Sequence, residues 1–202
     1  MKNILLACVL AFACTACSKG NDPLPAPPDE SGPVTTVAPA TSTVYTIKKG
    51  EHSSDGAMLN WIDTAAMHFS VRFDSSAVYT TQDKQNQYDI NKLYGFADNG
   101  AQHHQYSARF GWRWSGAALR LFAYVYNAGV RQEAELTTVP IGPWIQCAIS
   151  VQGNEYVFVV NDLVRTMPRT STTPKAAGYM LYPYFGGDEV APHDVRIEIR
   201  NR

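Results

Sequence analysis

Arg109 and Arg113 flank Gly111 in the stretch ARFGWRW. On an extended strand that spacing puts both guanidinium groups on one face, with a glycine between them. Two forked donors over a shallow strip suit carboxylate or sulfate groups through paired hydrogen bonds; solvated arginines paired with acids would use the same pattern. Phe110, Trp112 and Trp114 fall on the opposite face and are expected in a core. In LRLFAYVY, Arg120, Phe122, Tyr124 and Tyr126 share one side, and Leu119, Leu121, Ala123 and Val125 share the other. The first row is a cationic and aromatic surface on which sugar rings can stack. GYMLYPYF divides the same way, with Met180, Tyr182 and Tyr184 on one face and Tyr179, Leu181, Pro183 and Phe185 on the other. One set is expected to pack a core and the other to stay accessible. The candidate ligand-binding residues are therefore Arg109, Arg113, Tyr124, Tyr126, Tyr182 and Tyr184, with a polysaccharide or oligosaccharide as partner, provided that the three rows meet in one groove.

Other polar groups are candidates for catalysis or metal binding. Glu133 and Glu135 would share a strand face about 7 Å apart, a spacing within the range of a glycosidase acid pair. Leu136, Thr137 and Thr138 follow, so no third acid continues the row. A lyase would need a Tyr or His base and an arginine to neutralise a uronate carboxylate; His104, Tyr124, Arg109 and Arg113 are the right types. Asp188, Glu189 and Asp194 offer oxygens for calcium, but their spacing matches no standard loop and reads as a solvated acidic turn. His103 and His104 are adjacent, cannot both ligate from one strand face, and have no Cys or His-x-His companion. No metal or cofactor is expected. A formal net charge of -1 and the lack of a basic run argue against a nucleic-acid partner.

These residues need strands to hold them, and period-two patterns dominate. In MHFSVRF, Met67, Phe69, Val71 and Phe73 alternate with His68, Ser70 and Arg72; HDVRIEIR repeats the pattern with Val195, Ile197 and Ile199. EYVFVV is apolar on both faces. Gly153-Asn154 and Asn161-Asp162 read as hairpin turns. Further strands are expected near 44–49, 77–81, 92–97, 106–114 and 178–185, with one short helix near 58–66. Many short strands with turn punctuation predict an all-β, two-sheet antiparallel sandwich. Phe69, Val71, Leu121, Val159 and Ile197 should be buried, and Cys147, in WIQCAISV, should be an inert core thiol.

The segment 144–167, WIQCAISVQGNEYVFVVNDLVRTM, is similar to a strand meander of concanavalin-like (laminin-G-like) jelly rolls. LYGFADNG, HHQYSARFGWRW, YVYNAG and LYPYFGGDEVAPHDVRIEI, spread over 93–199, resemble uncharacterised lipoproteins of Bacteroides type. The resemblance implies a concanavalin-like jelly roll, in a superfamily that includes lectins, carbohydrate-binding modules, glucanases and polysaccharide lyases. It supplies no established chemistry. The expected function is lipid-anchored glycan binding, with a polysaccharide lyase or glycoside hydrolase as the alternative.

The N-terminus sets the expected location. MKNILLACVLAFACTAC has a lysine and then an apolar run too short to span a bilayer, the order of a secretory signal. Thr15-Ala16-Cys17 resembles a lipoprotein cleavage site, so residues 1–16 are expected to be removed and Cys17 acylated. Cys14 is a second candidate for the acylated residue, and an ordinary cleaved signal is the alternative. Residues 17–43, with six prolines among small and polar residues, read as a disordered tether. Residues 44–202 form the expected domain, long enough for a sizeable core. The expected site is the cell envelope, with a lipid anchor in the outer membrane.

Overall fold

The computed structural model describes residues 41–202. The expected signal segment, the Cys17 anchor and nearly all of the tether lie outside the described residues. Twelve strands follow in chain order: β1 (Thr43–Ile47), β2 (Trp61–Thr64), β3 (Ala66–Phe73), β4 (Asn91–Ala97), β5 (Tyr106–Ser115), β6 (Ala118–Asn127), β7 (Val130–Val139), β8 (Ile145–Gln152), β9 (Glu155–Val160), β10 (Leu163–Pro168), β11 (Ala176–Leu181) and β12 (Val195–Asn201). Ser75–Ala77 and Asn86–Tyr88 form single 3-10 turns. The strands make two antiparallel sheets of six, in the orders β1-β12-β3-β8-β9-β10 and β2-β11-β4-β5-β6-β7. This is the all-β sandwich expected from the alternation.

The core fills the space between the sheets, because each strand turns one side-chain row inward. Phe69, Phe73, Ile149, Phe158, Ile197 and Ile199 come from the first sheet, and Leu93, Phe96, Phe110, Trp112, Leu121 and Val125 from the second. Edge-to-face rings join the layers: Phe69–Phe110 at 5.6 Å and Phe110–Phe158 at 5.1 Å between centroids. Cys147 is buried and free, and burial pushes its thiol pKa well above the ordinary range.

Four local expectations are corrected. Residues 58–66 are not helical; Trp61–Thr64 form an edge strand because pairing with β11 outweighs weak helix propensity. Residues 77–81 form no strand. Ser75–Ala77 make a 3-10 turn capped by Asp74, whose Oδ1 accepts from Ser76 N at 2.8 Å. The strand expected over 178–185 ends at Leu181. Val159 is only half-buried: Tyr156, Phe158 and Val160 take the core side of β9, leaving Val159 on the outer face between Ala148 and Val164.

A bulge shapes the second sheet. Lys92 pairs with Gly111, but Gly95 pairs with Arg109, so β4 holds one extra residue. Leu93 and Tyr94 consequently both enter the core. The following chain tracks the same irregularity: Leu181 faces Gly95 and Tyr184 bridges Lys92.

Candidate functional site

Hairpin registry assembles the outer face of the second sheet. Tight turns at Gly116-Ala117 and Ala128-Gly129, all at positive φ, join β5 to β6 and β6 to β7. They align Arg109 with Tyr124 and Glu133, and Ser107 with Tyr126 and Arg131. The core-facing rows of β5 and β6 are as the alternation predicts. On the outer face, Ile90, Phe122 and Tyr124 form a small buried cluster with Tyr126 against it.

A cleft of about 450 Å³ opens over these rows. Its floor and walls include Lys92, His103, His104, Arg109, Tyr124, Tyr126 and Tyr184, closed on one side by Ser54, Ala57 and Leu181. Gly95 makes the floor possible: a Cβ there would lie 2.3 Å from Ala108 O and 2.4 Å from the Arg109 Cα. Arg109 is 6% exposed, with its guanidinium carbon 5.2 Å from the Tyr124 ring centroid and its Nε without a hydrogen-bond partner. The Lys92 ammonium lies 5.1 Å from the same centroid and donates to Ile90 O at 2.7 Å.

Electrostatically the cleft is one-sided, because none of its lining residues is acidic. The neighbouring arginines are paired: Arg120 with Glu135 at 2.6 Å, Arg131 with Glu133 at 3.0 Å. Among the described residues, neither Arg109 nor Lys92 has such a partner. Burial, then the Arg109 charge, pushes the Lys92 pKa down to about 8. Burial, then Arg109 and His104, pushes His103 down to about 4. The Tyr179 hydroxyl accepts from His103 N at 3.1 Å and lies 3.0 Å from His103 Nδ1, so its own proton is free to point at that nitrogen. His103 is thereby held as a neutral ring. Burial and the Tyr126 hydroxyl raise Tyr124 to about 12, which keeps it a hydrogen-bond donor.

The six sequence-derived residues separate. Arg109, Tyr124, Tyr126 and Tyr184 line the cleft. Tyr184 is 40% exposed and stacks on His52 at 5.2 Å with the planes 9° apart. Arg113 does not reach the cleft. It lies over the Phe122 ring, donates to Tyr88 O at 2.8 Å and sits 3.9 Å from Glu135. Tyr182 does not share a row with Tyr184 because the bulge intervenes. It touches the cleft wall, but its ring packs on Tyr45 and Tyr94 at 5.6 and 5.8 Å.

The strand alternation singles out neither Lys92 nor, except as a metal ligand without companions, His103. Lys92 could have been suspected from Pro183, whose missing N–H interrupts a ladder and hints at a bulge opposite. His103 and His104 do point into one cleft, since both sit in a turn rather than on a strand. Glu133 and Glu135 are ion-paired on edge strand β7 and do not line the cleft. Glu189 accepts from Gln82 N and Asp83 N, and Asp194 from Lys49 N and Lys48 Nζ, so those acids pin separate loops. Among the described residues no three metal-ligating side chains cluster.

No family model matches this chain, and no curated protein matches it. Solved structures do. Alginate lyase AlyC3 superposes with a TM-score of 0.55 at 8% identity, over 80% of this chain and 74% of that one. SCLam, a non-specific endo-β-1,3(4)-glucanase of family GH16, gives 0.47 at 8% identity, over 68% and 57%. Carbohydrate-binding module CBM66 from Bacillus subtilis gives 0.40 at 8% identity, over 79% and 92%. The likeness to alginate lyase AlyC3, together with the two six-stranded antiparallel sheets, shows the fold, a jelly-roll β-sandwich.

Proposed function

We propose that this protein binds an anionic glycan, a polysaccharide or oligosaccharide bearing carboxylate or sulfate groups, in the cleft over β4, β5 and β6. One observation carries the reading: two desolvated cations, Lys92 and Arg109, face the cleft without an ion-pair partner among the described residues, between aromatic walls. A buried charge is costly unless paired, and an incoming acid group supplies the missing partner. Bidentate bonding would use the Arg109 fork, whose Nε has no hydrogen-bond partner, and Tyr124, Tyr126 and Tyr184 supply faces and hydroxyls for the ring. An array of uronate-rich, sulfated and neutral polysaccharides tests this directly. Binding to acidic members, weakened by Arg109→Ala, is the expected result; preference for neutral glycans would overturn it.

A lyase reading has one observation in its favour. The His104 ring lies 5.3 Å from that of Tyr126 in the cleft that Arg109 also lines, which places a base type and a carboxylate neutraliser in one cleft. Product analysis on each hit separates the readings, because elimination leaves an unsaturated sugar absorbing in the ultraviolet and binding leaves the glycan intact.

The location belongs to the same proposal: export followed by acylation of Cys17 would hold the domain at the outer membrane on a proline-rich tether. Detergent partitioning of wild type and Cys17→Ala decides it. Wild type should enter the detergent phase and the variant the aqueous phase. Release by Cys14→Ala instead would move the anchor, and indifference to both changes would remove it.

A further inference from the structure

Trp61 is 70% exposed, more than any other large apolar side chain among the described residues. An isolated exposed apolar group needs no explanation, but this ring is held in place. It meets Tyr179 edge to face at 5.8 Å and 79°, as its cross-strand partner on β11. Tyr179 is fixed by its hydroxyl to His103, which lines the cleft. The neighbouring Ile62 packs on the core, so Trp61 faces outward with the cleft. Register extends the line. Met180 pairs with Phe96, which sets Tyr179 beside Ala97; Ala97 pairs with Ser107, and Ser107 with Tyr126. Trp61 and Tyr126 therefore end one row that crosses β2, β11, β4, β5 and β6. At the ordinary inter-strand spacing the row spans about 19 Å; its middle residues, Ala97 and Ser107, are fully buried, so a glycan joining its two ends would pass over the His103–His104 turn that packs on Tyr179 and Tyr126.

We propose that Trp61 is an outer sugar-stacking subsite of the cleft, so that the protein selects glycans long enough to run from Tyr126 past the β2 edge. This rests on the glycan-binding reading above. The indole presents an accessible face to the CH-rich side of a sugar, and its rigid seating on Tyr179 limits the ordering cost of binding. The acid-binding residues lie in the cleft itself, so the subsite adds length preference and leaves charge preference unchanged.

The test is a size ladder, di- through hexasaccharide, of uronate and of sulfated galactan oligosaccharides, titrated into the full-length protein and its Trp61→Ala and Trp61→Phe variants. Wild-type affinity should rise with length until the chain reaches Trp61. Trp61→Ala should then lose about three- to tenfold on the long members and nothing on the shortest that binds; Trp61→Phe should recover part of the loss. An equal loss at every length, or none at any, overturns the subsite and leaves the cleft reading intact. Failure of wild type to bind any member of either ladder removes both. Self-association abolished by Trp61→Ala, with long-glycan affinity unchanged, would make Trp61 a contact between two copies of this chain instead.

Discussion

Arg109 sits where its charge is worth most: it is buried, in a cleft whose lining offers no acid. Replacing it with alanine should weaken binding of an acidic glycan about ten- to a hundredfold, the range for losing hydrogen bonds to a charged group, measured by calorimetric titration. Arg113→Ala should change affinity far less, because that guanidinium is committed to Tyr88 O and Glu135 outside the cleft. Lys92 makes binding pH-dependent. Its pKa is lowered from 10.5 to about 8, so the free protein loses this charge as the pH rises through 8. A bound anion favours the charged form, so titrations at pH 9 should show proton uptake that is absent at pH 7. Calorimetry in buffers of different ionisation enthalpy reads that uptake directly; its absence would remove Lys92 from the site. For stability the sign is opposite: between about 8 and 10.5 the unfolded chain binds the proton more readily, so stability rises with pH there.

The β4 bulge and the two tight hairpins bring these groups together. The extra residue between Lys92 and Gly95 turns Leu93 and Tyr94 inward and carries Tyr184 outward over the cleft, while the Tyr182 ring packs on Tyr45 and Tyr94. Gly95→Val should displace β5 under Arg109, since its Cβ alone would meet backbone at 2.3 Å. A destabilisation of about 1–3 kcal/mol is expected, together with loss of glycan affinity, and paired denaturation and titration experiments check both. The β6–β7 turn points the other way. Ala128 holds φ 49°, a conformation that costs a non-glycine residue energy. Ala128→Gly should therefore stabilise the protein by about 0.5–1 kcal/mol in urea unfolding, leaving the registry of Tyr126 with Arg131 and the glycan affinity unchanged.

Across the whole sandwich, a buried clasp away from the cleft ties the sheets together. Arg169 Nε donates to Asp98 Oδ2 at 2.8 Å, Tyr156 donates to the same oxygen at 2.7 Å, and Arg169 also reaches Ser171 and Thr173. The Arg169 side chain is 2% exposed and that of Asp98 not at all. Asp98→Ala would strand the arginine in the interior and should cost about 3–5 kcal/mol, seen as a lower denaturation midpoint. The acidic-glycan affinity of the folded fraction should be unchanged, which separates this clasp from the cleft.

What the chain alone specified follows from short-range rules. Alternation in MHFSVRF and HDVRIEIR fixes which side of a strand is apolar, because successive side chains point to opposite faces whatever lies beyond. The two-sheet sandwich and the core rows of β5 and β6 were readable on that basis. Three things were not. Val159 needed a neighbouring strand to show which of its two apolar faces was inner. Residues 58–66 needed β11 as a partner before they became an edge strand. Tyr182, Tyr184 and Lys92 needed the bulge, since one extra residue reverses every later side chain and leaves only a proline as its mark. The unpaired charge at Arg109 is likewise a property of the folded sheet: Glu133 pairs with Arg131, two residues before it on β7, and Glu135 with Arg120 on the neighbouring strand. Alternation is local, whereas registry and the absence of a counter-charge depend on distances between strands remote in sequence.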